Sequence, residues 1–399
     1  MLQNFIIEKI YQYLLISLAF LMPITVAGGN ILLSLICFLW LFSGDYKNKF
    51  NMIFRSKLMI ASIVFYLIHV LGMLWTEDFL WGFRILKKNV DFLIYLPVLY
   101  TIVKKEYIKY YISAFLLAIS ITEVLSYLVW FEIIPPFKYA SVYNPSPFMS
   151  HISYNPILAF AIYLVSHEVL MNYKLSKVKR YLYAFFSISM SINMFLTGGR
   201  AGQVMFFGVI AILFFQYFNG QKIKSILMFS ITSSLIFLTA YQSSNIFHDR
   251  VNRTVSDIQN YSSNKATSVG LRLTFTINSW ELILKNPLIG QGTGDFPNEY
   301  KKINLKNTPN LPNTTNPHNM YTLILAQLGS IGLISFLAIF YYQLKFALKS
   351  KDGFIKDIGI AMPLLFLLIM WSDSYLLGHY TSLMYVLFSS FLYKDFEKI

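Results

Sequence analysis

Apolar residues in this chain come in long blocks, and the polar positions between them are few and clustered. "YLLISLAFLMPITVAGG", "ILLSLICFLWLF", "KLMIASIVFYLIHVLGMLW" and "IGIAMPLLFLLIMW" each approach the length that a bilayer demands. About twelve such blocks occur. They centre near residues 12–27, 29–43, 57–75, 86–103, 108–131, 153–171, 181–197, 201–218, 223–241, 318–344, 355–372 and 379–393. Backbone amides inside lipid must be satisfied within their own segment, so each block predicts a helix. The expected fold class is therefore all-α: one polytopic integral membrane domain over residues 1–399. It has about 12 transmembrane helices and one large periplasmic loop carrying an amphipathic helix.

Composition sharpens this picture. Hydrophobic residues make up 56% of the chain and charged residues only 13%, against about 25% charged in soluble domains. So little charged surface cannot cover a soluble core of this size. The N-terminal block lacks a small-x-small cleavage site and is followed by further blocks, so it predicts a first span rather than a signal peptide. Lys and Arg collect in alternate loops: Lys47, Lys49, Arg55 and Lys57, then Lys104, Lys105 and Lys109. The series continues with Lys174, Lys177, Lys179 and Arg180, then Lys222 and Lys224, then Lys345, Lys349, Lys351 and Lys356. These loops follow even-numbered spans, which puts both termini in the cytoplasm. The net charge of +14 is mostly this topological signal and does not argue for nucleic acid. One cysteine, Cys37, permits no internal disulfide, and no metal-ligand spacing is present.

One connection differs from the rest. Between predicted helices 9 and 10, residues 242–317 form a long outer loop, and loops of that length are usually functional or disordered. Within it, "SVGLRLTFTINSWELILKNPLIGQG" reads as a helix with two faces. Leu273, Ile277, Trp280 and Leu284 fall on one face, and Arg272, Thr276 and Ser279 on another. Such a helix is suited to the membrane surface. Pro287 and Gly290 end it. The glycines of "GQGTGDF" follow no strand, so a tight turn explains them better than a nucleotide-binding loop.

Outer loops should be poor in Lys and Arg, which makes the exceptions informative. Arg200 follows two glycines in "LTGGRAGQ" and opens a helix. Arg272 lies on the polar face of the loop helix. Arg84, Lys87 and Lys88 sit at i, i+3 and i+4 at the outer entrance of the fourth span, where they crowd one helical face. Guanidinium groups match phosphate oxygens through paired hydrogen bonds, so this set suits a pyrophosphate. Headgroup snorkelling is the competing reading for Lys87 and Lys88. In "TNPHNMYTLILAQ", Asn316 and Pro317 read as a helix cap and a first-turn proline. That puts His318 in the first turn of span ten, at the positive end of the helix dipole, where a neutral imidazole can act as a general base. His69 and His167 read as structural. His151 stands at the outer start of span six, while His248, Asp373 and His379 face outside with no spacing that assigns them a role.

Taken in order, "LTGGRAGQ", "LRLTFTINSWELILKNPLIGQGTGDF" and "NPHNMYTLILAQLGSIGL" resemble the successive signatures of the O-antigen ligase and polymerase superfamily. The resemblance implies transfer of a polysaccharide from undecaprenyl pyrophosphate to a sugar hydroxyl of lipid A–core. It places the reaction at the periplasmic face of a Gram-negative inner membrane. It implies an inverting glycosyl transfer that uses no metal, nucleotide or other cofactor. Arg200, Arg272 and His318 match the family's functional residues. They would act as catalytic groups, with Arg84, Lys87 and Lys88 as further pyrophosphate contacts. Many relatives carry Glu where this chain has Gln327, so no acid role is expected there. The partners implied are the lipid-linked glycan donor, the lipid A–core acceptor and membrane lipid. An O-antigen polymerase or a protein O-oligosaccharyltransferase would share the donor. A polymerase often has two large outer loops, and only one is visible here. A transporter or flippase would place ionisable residues near mid-bilayer, whereas the charges here gather at the outer face.

Overall fold

A computed structural model describes residues 2–396, with side chains from residue 6 onward. Among the described residues the chain is helical, with no strand. Helices α1 (Leu2–Leu21) and α2 (Val26–Phe42) lead into a short α3 (Tyr46–Arg55) and then α4 (Lys57–Gly72). Next come α5 (Phe79–Val90), α6 (Leu96–Ile102), α7 (Ile108–Trp130), α8 (His151–Met171), α9 (Lys177–Leu196), α10 (Arg200–Tyr217) and α11 (Lys222–Ser243). The long loop holds α12 (Asn245–Gln259), α13 (Ser268–Lys285) and α14 (Phe296–Asn307). The chain closes with α15 (Met320–Lys349), α16 (Gly353–Ile369) and α17 (His379–Leu392).

Helix therefore occupies every one of the twelve predicted blocks, but not always as one long rod. Six helices are long and apolar enough to cross a membrane, or seven if the bent pair α2–α3 counts as one span. The fourth block starts earlier than expected and is broken. A π-helical turn over Asp91–Tyr95 joins α5 to α6, and Pro97 opens α6. The long loop holds three helices rather than one, because its polar stretches cap and turn instead of staying extended.

The bundle centres on α8, whose residues from Tyr154 to Val165 are buried. α8 packs on α9 and α10, α4 on α15, and α1 on α7. The longest helix, α15, breaks at Gly329, where φ is +62°. The loop after α13 fills the break. Gln291 and Gly292 donate their amides to the carbonyls of Ala326 and Gln327 at 2.9 and 3.0 Å, and Ser330 donates to Pro287 at 2.8 Å. Backbone groups freed by the kink are thus satisfied by another segment, as a buried break requires. Gly290 makes this contact possible: its φ is +71°, and a Cβ there would lie 2.3 Å from the Gln327 backbone. The "PLIGQG" stretch is the tight turn expected from its glycines, and its function is to lock α13 to α15. Gln327 donates to the Thr293 carbonyl at 2.8 Å, so it serves this lock.

Candidate active site

His318 lies two residues before α15 rather than in its first turn. The cap is Asn319, whose side chain accepts from Thr322 N–H at 3.0 Å. Asn316 instead forms a local turn, accepting the His318 amide at 3.0 Å. The His318 backbone sits in the left-handed region, with φ +54°. A non-glycine residue held there costs about 1–3 kcal/mol, and such outliers gather at functional sites. The expected Asn–Pro cap fails because Asn316 is taken by the turn at His318 and by Asp373, and Asn319 takes the helix end.

What holds His318 is the far end of α16. The Met320 amide donates to Met370 carbonyl at 2.9 Å, and Tyr321 Oη donates to Leu367 carbonyl at 2.6 Å. These bonds staple the start of α15 to the end of α16. The turn after α16 then brings Asp373 Oδ2 within 3.2 Å of His318 Nδ1. Asn316 Nδ2 also donates to Asp373 Oδ1 at 3.2 Å. Burial pushes the Asp373 carboxyl up, but the His318 hydrogen bond and charge, the Ser374 amide and Arg272 outweigh it and hold it below its usual value. An ionised carboxylate only accepts, so Nδ1 donates and Nε2 is left as the ring's acceptor. That is the arrangement a general base needs: one nitrogen oriented, the other free.

α13 supplies the other wall. Phe275 stacks near the His318 ring, centroids 6.2 Å apart and 24° between planes. Arg272 stands one turn earlier on the same helix, so the residue that orients the ring and the cation arrive together. The buried face of α13 includes Thr274, Phe275, Ser279 and Leu282. Its Leu273, Ile277, Trp280 and Leu284 remain 40–63% exposed, the pattern of a helix whose apolar stripe meets lipid rather than protein.

Arg200 opens α10, as expected, and its guanidinium donates to Thr254 Oγ1 at 3.0 Å and Ser268 Oγ at 2.9 Å. It thereby links α10 to α12 and to the start of α13. The glycines before it act through closeness: a Cβ on Gly199 would lie 2.6 Å from the His151 carbonyl and Asn155. Its φ of −82° needs no left-handed freedom. Arg250, on α12, joins the group, and both Arg250 and Arg272 are near enough to Arg200 to repel its charge. Among the described residues none of these three arginines makes an ion pair with a carboxylate. Three neighbouring guanidiniums, with Arg200 bonded only to hydroxyls, form a site for an anion.

The cluster on α5 behaves differently. Arg84, Lys87 and Lys88 are all exposed, and Arg84 lies over the Trp81 ring at 5.5 Å. Lys88 does line a cavity of about 220 Å³ whose wall includes Asn316, Asp373 and Tyr375. Trp81 Nε1 lines it too, a buried donor without an acceptor among the described residues. Arg84 and Lys87 are not on that wall. α5 is positioned by the loop motif: Asp295 of "GQGTGDF" accepts the amides of Glu77 and Asp78 at 2.8–3.0 Å.

Two members of this site have no role in the sequence reading: Asp373 is named only as facing outside, and Arg250 is not singled out. Asp373 is 55 residues from His318, and nothing local announces the pairing. Arg250 is one of eight Lys and Arg residues within 242–317, so its charge alone does not single it out; its place beside Arg200 does.

Residues 185–337 match the family model described as O-antigen ligase. The matched segment contains Arg200, Arg250, Arg272 and His318, and ends before Asp373. No curated protein matches the chain.

Proposed function

We propose that the chain is an O-antigen ligase, a reading supported by the match of residues 185–337 to the family model of that description. The donor is a polysaccharide on undecaprenyl pyrophosphate, and the acceptor is a sugar hydroxyl of lipid A–core. His318 Nε2 takes the proton of the acceptor hydroxyl as that oxygen bonds to the anomeric carbon. The bond from that carbon to the pyrophosphate oxygen breaks, and the electron pair leaves with undecaprenyl pyrophosphate. Attack opposite the leaving group inverts the anomeric centre. Arg200 and Arg272, with Arg250 beside them, meet the charge that grows on the pyrophosphate. Asp373 is a positioning residue that fixes the His318 tautomer. Lys88 lies at the edge, where the donor's phosphates or the acceptor's anionic groups would pass. The reaction so written uses no metal and no nucleotide.

The location follows from charge. Among the short loops, Lys and Arg gather on one set, which supports an inner-membrane protein with cytoplasmic termini and the His318 site facing the periplasm. The observation that carries the reading is the His318–Asp373 pair beside Arg272 and Arg200. Of these, Arg200, Arg272 and His318 fall within residues 185–337. Deleting the gene and examining lipopolysaccharide on gels tests it. A ligase deletion leaves bare core while lipid-linked polymer accumulates. Core bearing a single repeat unit would instead make the protein a polymerase, and an unaltered ladder would exclude both.

A further inference from the structure

At the opposite end of the bundle from His318 lies a cavity of about 870 Å³. α15 measures the separation: its first residues carry the His318 site, and its last, Phe346 and Lys349, line this cavity. The chain from Met320 to Lys349 spans roughly 45 Å at helical rise. The walls come from the starts of α7 and α16, the ends of α8 and α15, and the segment after α17.

The cavity is divided by chemistry. Ile112, Leu116, Leu164, Phe346 and Ile355 form an apolar side. Lys105, Lys109, Lys349 and Lys351 stand at the rim, all exposed. Among the described residues none of these four is in an ion pair. Four carboxylates share the wall, Glu106, Glu168, Asp352 and Asp395. Glu168 accepts from Asn172 Nδ2 at 2.8 Å, and Asp352 from the amides of Phe354 and Ile355 at 3.1 and 3.3 Å. Deeper in, Lys394 is only 6% exposed. It donates to the carbonyls of Val103 and Thr101 at 2.9 and 3.1 Å, and an ammonium carries three donors. Burial, then the charge of Lys104, pulls the Lys394 ammonium down to about 7, so an anion in the cavity would favour its charged form.

Basic loops alone would be the ordinary topological signal. A cavity with an apolar wall, rim lysines in no ion pair among the described residues (Lys109 lies over the Tyr110 ring at 5.0 Å) and a buried ammonium is a more specific arrangement. We propose that this cavity is a binding site for an anionic phospholipid, its phosphate held by the Lys105–Lys109 and Lys349–Lys351 pairs and its acyl chains lying along the apolar wall.

The full-length protein, reconstituted in phosphatidylcholine nanodiscs with or without phosphatidylglycerol, gives the test. Phosphatidylglycerol should raise the thermal midpoint of wild type by roughly 5 °C. A Lys105→Gln, Lys109→Gln, Lys349→Gln, Lys351→Gln variant should lose most of that rise. A control with the same change at Lys47, Lys57, Lys174 and Lys177 should keep it. Inorganic phosphate at matched charge should have little effect. Equal losses in both variants would show diffuse interfacial attraction and overturn the proposal. So would an equal rise with phosphate alone, which marks a free-anion site, or no rise with phosphatidylglycerol.

Discussion

The Arg84, Lys87 and Lys88 set and the Arg200 and Arg272 pair were read from the sequence on similar grounds, yet the fold treats them in opposite ways and adds Arg250 to the second. Arg84, Lys87 and Lys88 are neighbours on one helix and stay exposed, one against a tryptophan ring and one at a cavity edge. Arg200, Arg250 and Arg272 come from three helices and converge. Local spacing guarantees that side chains share a face, but it does not say what that face meets. Convergence from distant segments has to be built by packing. Here the build is visible in the Arg200 bonds to α12 and α13, the α13–α15 lock and the α15–α16 staple. Guanidiniums brought together at the cost of mutual repulsion are better evidence of a ligand than cations crowded by helix period.

This contrast orders the expected effects of substitution. Arg272→Ala should reduce the ligation rate by about 10²–10³-fold, the usual cost of removing one donor to a developing charge. Initial rates with membrane-extracted protein and lipid-linked donor would show it. A loss under tenfold would put Arg272 outside the reaction. Asp373→Asn should cost on the order of 10²-fold or more by disturbing the His318 tautomer, and Asp373→Glu should recover part of it. The Asp373 pair also makes a stability prediction with a definite sign. The folded carboxyl is held below its ordinary value, near 3.9 when unfolded. Its contribution is therefore fully present above about pH 4 and is lost as pH falls through the lower folded value. Wild type should lose more thermal stability than Asp373→Asn between pH 5 and the acid limit of the detergent assay, in which midpoints are followed. An identical slope for the two proteins would count against the pairing.

Lys88→Gln should have a smaller effect, between about three- and tenfold, expressed mainly in KM because Lys88 lines the cavity without touching His318. A combined Arg84→Gln, Lys87→Gln variant should stay within about twofold of wild type, as exposed cations away from the site contribute little. If that double variant fell as far as Arg272→Ala, the ranking of the two clusters would be reversed.

Much of this layout was legible in the chain. Apolar block length gave helices in every predicted position, and the helix with Arg272 on its polar side appears as α13 with its apolar stripe exposed. The parts that were not legible depend on contacts far apart in sequence. Whether Asn316 or Asn319 caps α15 is decided by the Met320 bond to Met370 and by Asp373, neither of which a local pattern encodes. The break at Gly329 looks like an ordinary glycine in an apolar helix until the "PLIGQG" loop is seen to fill it. Arg250 is one of eight cations within residues 242–317, and only the packing of α12 against α10 distinguishes it from the others.

The most direct test of the central claim is the initial rate of polymer transfer by purified His318→Ala, reconstituted with lipid-linked donor and lipid A–core acceptor, with folding confirmed by its thermal midpoint. If His318 Nε2 takes the acceptor proton, the rate should fall by about 10²–10⁴-fold while the midpoint stays near that of wild type. A folded His318→Ala protein that transfers polymer within a few-fold of the wild-type rate would contradict the assignment and leave His318 as an interfacial histidine.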